Sequence, residues 1–539
     1  MRRTCSSYRA TKGWTRRFKT CPMFPTQGSL PPIFPSTSKF SVMRYLHIIT
    51  KTLLPACILV TISTSCKKML EIDPPLDTIS TVQIFSSDKH AEGALTGIYS
   101  RMINGEGMSM FINTPYKAFA GGLSTLLGGM SSDEMTQVSG ITSAREIEQN
   151  KLMIITSTGT AELWSSAYKI IYAANAVIEG IAASTSKDLR DSTRKQITGE
   201  AKFIRAFSFF YLTNFFGDVP LVLTVDFNKT WQMARTPQRQ VYDQIIADLK
   251  DAQAVLPTDY SVGNGERIRP NKWAATALLA RVYLFTRDYD NAMKAATEVI
   301  NQNSIFQLEP DLNNVFLYQS REAIWQLKQT QENSTLRNAT PEAYCMLPII
   351  PYKGPAGARI TAVLRNAFEG GDKRYDVWLD STNNSTNPSI PDVLSWYPSK
   401  YKIGQSNAVM GMPGEYYMAL RLAEQYLIRA EANALGASGG AAAAIDDLNM
   451  IRHRAGIDDL PETLNGDALK AAIAKERQTE LFAEWGHRWF DLKRTGKASE
   501  VLSQIGNKQP WEGDYQLLYP IPPNEIQNNS KLIQNIGYR

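Results

Sequence analysis

Apolar positions recur at i, i+3, i+4 and i+7 along most of this chain, the period of helices that bury one face. From Ser87 onward Ala91, Ala94, Leu95, Ile98, Tyr99 and Met102 keep that spacing. Leu163, Trp164, Tyr168, Ile171, Ala174, Asn175 and Ile178 repeat it over 161–183. Ile197, Ala201, Ile204, Arg205, Phe207, Ser208, Tyr211, Leu212 and Phe215 repeat it over 194–216, where Gly217-Asp218-Val219-Pro220 stops the run. Thr236-Pro237 opens a further helix through Val241, Ile245, Leu249 and Ala252, because proline suits a first helical turn. Within 271–300, Leu279-Ala280, Tyr283, Ala292 and Ala296 fit the tetratricopeptide pattern, in which small residues let two antiparallel helices cross closely. A looser copy at 424–451 keeps the same offset with Ala430 and Ala442, and a last helical pair is predicted at 466–494.

Two stretches break the period. Residues 104–159 are rich in Gly, Ser, Met and Asn and read as a long loop region. Residues 305–414 carry short apolar runs such as Glu322-Ala323-Ile324-Trp325-Gln326-Leu327 among Pro, Asn and aromatic residues. The predicted fold is mainly α: a tetratricopeptide-like helical-pair scaffold at about 160–303 and 415–494. A loop-rich insert at about 305–414 carries a few short strands, all within one domain spanning 86–539.

The N-terminal end changes the reading of charge. Met43 begins a segment with Arg44 and Lys51, then the apolar run Leu53 to Ile62, then Ser63-Thr64-Ser65 before Cys66. That order of charged, apolar and small residues is a secretory signal, and its apolar run falls short of the roughly 20 residues a spanning helix needs. A cysteine placed there resembles a bacterial lipobox, with Ser63 where leucine is usual, so Cys66 is the expected lipidation site. Residues 1–42 read as a mis-called upstream extension, 43–65 as the leader, and 66–85, with Pro74-Pro75, as a tether. The formal charge is +6, but residues 1–65 hold ten basic and no acidic residues, so the mature chain would carry −4. The surplus that would point to nucleic acid is discarded. Of five cysteines only Cys66 and Cys345 remain after the leader, which excludes an intrachain disulfide if Cys66 is lipidated.

Other motifs give weak chemistry. Gly436-Ala437-Ser438-Gly439-Gly440 matches G-x-S-x-G, but a helix precedes it where a nucleophile elbow needs a strand. His90, His453 and His487 lack metal-binding spacing, and no metal or other cofactor is expected. Asp380-Ser381-Thr382-Asn383-Asn384 is oxygen-rich without the glycine and distal glutamate of a calcium loop. Glu476, Arg477 and Glu480, and Arg488 with Asp491, have the spacing of structural ion pairs on a helix.

Several blocks in order resemble the SusD/RagB family of bacterial surface lipoproteins, with coverage from Cys66 to Arg539. They are Leu70-Glu71-Ile72-Asp73-Pro74-Pro75, Leu163-Trp164 with Ala174-Asn175, and Gly199-Glu200-Ala201-Lys202-Phe203-Ile204-Arg205-Ala206 leading to Phe216-Gly217-Asp218-Val219-Pro220. Most specific are Glu476-Arg477-Gln478-Thr479-Glu480-Leu481 and Glu484-Trp485-Gly486-His487-Arg488-Trp489-Phe490-Asp491-Leu492-Lys493-Arg494, followed by the closing Tyr519-Pro520-Ile521-Pro522. The resemblance implies a non-enzymatic protein, lipid-anchored on the exterior of the outer membrane. It would capture oligosaccharides, or sometimes peptides, for a SusC-like TonB-dependent transporter.

Sugar rings carry an apolar face that a flat aromatic side chain can stack against, while amides and carboxylates take the hydroxyls. Irregular segments on a rigid scaffold are where such residues gather. Phe111, Tyr116 and Phe119 beside Asp133 and Glu134 are candidates in the first loop region. Trp378, Trp396, Tyr397 and Tyr401 near Asp380, Asn383 and Asn384 are candidates in the insert, with Tyr318 and Trp231 as further ones. Trp164, Trp273, Trp325 and Trp489 lie on apolar faces and are assigned to the core. Met108, Met110 and Met130 could form an apolar partner surface. The competing readings are peptide capture, a glycoside hydrolase with two facing carboxylates, and a tetratricopeptide scaffold with protein partners only.

Overall fold

The helical period is realised almost residue for residue. Ser87 caps the first long helix by accepting from the His90 amide, and Asn271 and Asp288 cap the two helices of the best repeat in the same way. The computed structural model describes residues 81–105, 118–137, 140–329, 335–348, 358–383 and 394–538, all within the compact unit Leu76–Arg539. The leader, Cys66 and nearly all of the expected tether lie outside the described residues.

Among the described residues, helices of eight residues or more are numbered α1 (Asp88–Asn104), α2 (Ser124–Ser131), α3 (Thr158–Ala183), α4 (Asp191–Phe216), α5 (Gln238–Val255), α6 (Lys272–Phe285), α7 (Tyr289–Ile300), α8 (Leu422–Ala434), α9 (Gly440–Ala455), α10 (Gly466–Leu481) and α11 (His487–Arg494). From α3 to α9 each helix packs on the next in chain order, and α10 also packs on α8. The array passes straight from α7 to α8, although the whole insert lies between them in sequence. α6 is the central member: every residue from Trp273 to Leu284 is buried, as befits a helix that is apolar nearly all round. The fold is thus mainly α with short strands, as the periodicity predicts.

Buried ion pairs lock neighbouring helices. Arg205 of α4 donates to Asp248 of α5 at 2.7–2.8 Å and to Asn175 of α3 at 2.8 Å. Arg281 of α6 pairs with Glu424 of α8 at 2.5 Å and reaches Tyr211 of α4.

The segment between α7 and α8, the insert together with the strand that runs on to Arg421, contributes antiparallel two-stranded ladders. β2 (Ala323–Leu327) pairs with β6 (Tyr417–Arg421), and β4 (Leu379–Asn383) pairs with β5 (Leu394–Pro398). β3 (Ala358–Ile360) pairs with β1 (Met135–Gln137), which lies outside the insert. β2 is fully buried, and its Trp325 ring meets Phe203 and Phe207 of α4 edge-on.

Three expectations need correction. The 104–159 region is not simply a loop, because α2 and the helix Thr142–Glu148 form there and bury Leu126, Leu127, Met130 and Ile147. Glycines made it look irregular, yet Gly128 is where the α2 backbone touches Gly486; a Cβ there would lie 2.5 Å from the Gly486 Cα. In the second repeat the small buried residue on α9 is Ala444, while Ala442 is exposed, so the twelve-residue offset does not carry over. The signature ion pairs are long-range rather than local: Arg488 pairs with Asp133, and Arg477 with Asp491.

Candidate functional site

The insert is fixed to the scaffold by a dry cluster of charge. Arg421 at the end of β6 bonds Glu322, Glu480 and Glu484 at 2.6–2.8 Å, and Lys400 bonds Glu484 at 2.5 Å. Arg374 bonds Asp372, Glu476 and Glu480, and Arg454 of α9 joins Glu322 to Glu480. All these groups are withdrawn from water, so the pairing of each carboxylate is what makes its burial tolerable. None of them faces solvent as a general acid or base. Gly436 to Gly440 forms the turn between α8 and α9, not a strand-borne elbow. Among the described residues no group of three or more His, Cys, Asp or Glu converges as a metal set, and Asp380 is engaged by the Tyr397 hydroxyl at 2.7 Å.

Most predicted ligand residues are internal. Asp133 is held at 2.8 Å by both arms of Arg488, and Glu134 is buried beside it with one oxygen unpaired. Burial, reinforced by Asp133, pushes the Glu134 carboxyl up to about 8. Trp378 is wholly buried, its indole N–H donating to the Leu312 carbonyl, because it ends the short helix Lys373–Trp378 with its ring against Phe316 and Phe482. Tyr397, Tyr401 and Phe119 are core residues. None of these six presents a face to a ligand. Phe111, Tyr116, Asn384, Met108 and Met110 lie outside the described residues, as does the Asn383 side chain, although Asn383 ends β4. Met130 is buried. Trp164, Trp273, Trp325 and Trp489 are buried, as expected.

Tyr318 and Trp396 keep partly open rings. Strand alternation explains the contrast between neighbours on β5, since successive side chains point to opposite faces. Trp396 lies 5.4 Å from the Tyr375 ring, with the Arg365 guanidinium 5.3 Å above its indole. The Arg365 Nε has no hydrogen-bond partner. Tyr318 lies 5.4 Å from Tyr416 and accepts from Gln319 at 2.6 Å. The Tyr416 hydroxyl donates to Glu266, which also pairs with Lys328 at 2.8 Å. Burial tends to raise the Glu266 carboxyl, but bonds from Lys328 and Tyr416 outweigh it and hold it below its ordinary value. The two rings belong to separate clusters and are not brought together. In the first cluster Trp396 and Tyr375 are both half-buried, whereas in the second Tyr416 is fully buried and only Tyr318 is partly open, so the Trp396 cluster offers the broader aromatic surface for a hydroxylated ring. Tyr375, Tyr416 and Arg365 were not foreseen; Tyr416 precedes β6 and is itself buried, so no local period marked it. Trp231 is 53% exposed and stands between α4 and α5, on none of these elements.

Comparisons with known proteins bear on the same segments. Residues 120–284 match the family described as "Starch-binding associating with outer membrane", and residues 366–538 match the "SusD family". The chain is 29% identical over 435 residues to SusD-like protein P2 of Formosa agariphila, covering 73% of this chain and 84% of that one. A SusD superfamily protein from Bacteroides vulgatus superposes with a TM-score of 0.70 at 20% identity, covering 84% of this chain and all of the other. A structure described as a laminarin binding SusD-like protein superposes at 0.67 with 24% identity and the same coverage.

Proposed function

Because the chain belongs to the SusD/RagB family, whose members bind carbohydrate and associate with the outer membrane, we propose that it captures oligosaccharides or polysaccharides at the cell surface without cleaving them. In this reading the leader at 43–65 is removed, Cys66 carries the lipid, and each buried methylene of its acyl chains contributes about 0.8 kcal/mol of anchoring. The captured glycan passes to a SusC-like TonB-dependent transporter. Among the described residues no helix is long and apolar enough to cross a membrane.

The observation that carries the reading is the half-buried Trp396–Tyr375 aromatic pair, with the Arg365 guanidinium beside it, on a hairpin whose base is fixed to the scaffold. The burial of Glu476, Glu480, Glu484 and Glu322 in ion pairs supports capture over hydrolysis. The test is binding of the soluble domain after Cys66 to a polysaccharide and peptide panel by affinity electrophoresis and calorimetry. Saccharide binding weakened about tenfold in Trp396→Ala, with no product released, is expected. Release of shorter sugars, or binding to peptides alone, would overturn it.

A further inference from the structure

A cleft of about 540 Å³ opens between segments far apart in sequence, none of them in the insert. One wall is a face of α3, where Trp164, Tyr168 and Tyr172 follow one another at four-residue spacing. Another is the 220–231 loop ending in Trp231, and a third is the C-terminal stretch with Glu525 and Asn528. Its size falls within the range of about 300–1,000 Å³ usual for small-molecule sites.

The aromatic residues grade from buried to open. Trp164 is at the floor, its ring 4.8 Å from Tyr168. Tyr172 is 57% exposed and Trp231 53%. Phe227, 70% exposed, lies against Trp231 with ring centroids 6.3 Å apart and planes 23° from parallel. Two large rings left open to water at one concavity, with Phe227 stacked against Trp231 outside it, form an apolar patch of the kind that marks a binding surface.

The open rings are held in place. The loop that carries Phe227 and Trp231 is pinned at its base by the Val219–Thr236 bridge and along its length by Asn175 donating to the Val222 carbonyl. Tyr168 donates to Pro220, and from the other side Asn529 donates to Met233. A platform fixed this way loses little conformational freedom when a ligand stacks on it. Polar groups stand at the same cleft: the Glu525 carboxyl and the Asn528 amide lie on its third wall.

We propose that this cleft is a second carbohydrate site, in which Trp231 and Tyr172 stack on pyranose rings while Glu525 and Asn528 take their hydroxyls. It rests on the capture reading for its ligand class and shares no residue with the insert surface. An open cleft walled by rings on two sides suits a segment within a polysaccharide chain, so the two sites would hold one long chain at separate points. Linked engagement of that kind raises avidity without any new contact.

The test is a glycan array of algal, plant and microbial polysaccharides, including laminarin and soluble starch, probed with wild type, Trp231→Ala, Tyr172→Ala and Trp396→Ala. Melting curves verify folding, which the exposed position of the first two residues should spare. Binding about tenfold weaker in Trp231→Ala and in Tyr172→Ala, with a larger loss for long chains than for trisaccharides, is expected. A wild-type hit unchanged in both variants would overturn the cleft site alone. Silence of wild type across the array would overturn the capture reading and the cleft with it. Unchanged glycan binding with loss of a co-purifying membrane protein in Trp231→Ala would reassign the cleft to a protein contact.

Discussion

Glu480 of α10 accepts from Arg421 of β6 at 2.6 Å, and both side chains are shut away from water. The contact joins the insert to the signature helix, and Glu480 also receives Arg374 and Arg454.

Replacing Glu480 by alanine leaves three guanidiniums short of a partner, which should destabilise the domain by about 3–5 kcal/mol. Burial alone would raise this carboxyl, but Arg454, Arg421 and Arg374 outweigh it and hold it far below the usual range. A depressed folded-state pKa gives stability that is complete above the unfolded value and is lost as pH falls below it. Melting curves between about pH 7 and pH 3 should show a steeper acid loss in wild type than in Glu480→Gln.

Glu134 has the opposite sign. With its carboxyl raised to about 8, mainly by burial, the folded state holds a proton that the unfolded chain gives up near its ordinary 4.5. Stability therefore declines as pH rises through that window. Glu134→Gln should remove the decline, so its advantage over wild type grows from about pH 5 to pH 8 and reaches on the order of 3–4 kcal/mol. Parallel melts across that range would check it.

Lys508 reaches into the protein and donates to the Met130, Ser131 and Glu148 carbonyls and to the Asn150 amide oxygen at 2.5–3.2 Å. Lys508→Met keeps the apolar stem and strands those oxygens. A loss of about 3 kcal/mol in denaturant unfolding is expected, with Lys508→Gln intermediate.

Gly128→Ala drives a Cβ to 2.5 Å from the Gly486 Cα, backbone against backbone, so no side chain can yield. Gly486 itself sits at φ +77°, which favours glycine. The alanine variant should lose about 2–3 kcal/mol, read as a lower melting temperature. Gly93→Ala, on a helix face with open space around it, serves as the tolerated control.

The sequence made the scaffold legible because each helix announces its buried face through local spacing, as Leu279, Ala280 and Tyr283 do. Partners remote in sequence were beyond that logic. Arg488 could be placed on α11, but nothing near it pointed to Asp133, 355 residues away, and local spacing offered Asp491 instead. Aromatic residues in irregular stretches misled for a related reason. Trp378 and Trp396 look alike in sequence, yet one closes a short helix onto the core and the other faces outward from a hairpin. Trp231 was legible as a candidate; Tyr172 was not, because its helix reads as scaffold throughout.

The direct passage of the array from α7 to α8 makes the insert an exchangeable cassette. Its length and loops can diverge over evolutionary time while the register of the surrounding helices stays untouched. The exchange is conditional, since the cassette supplies Arg374, Lys400 and Arg421 to carboxylates that wait on α10 and just beyond it. Any graft that omits those cations inherits a hole in its foundations, and any that keeps them is free to change what it displays.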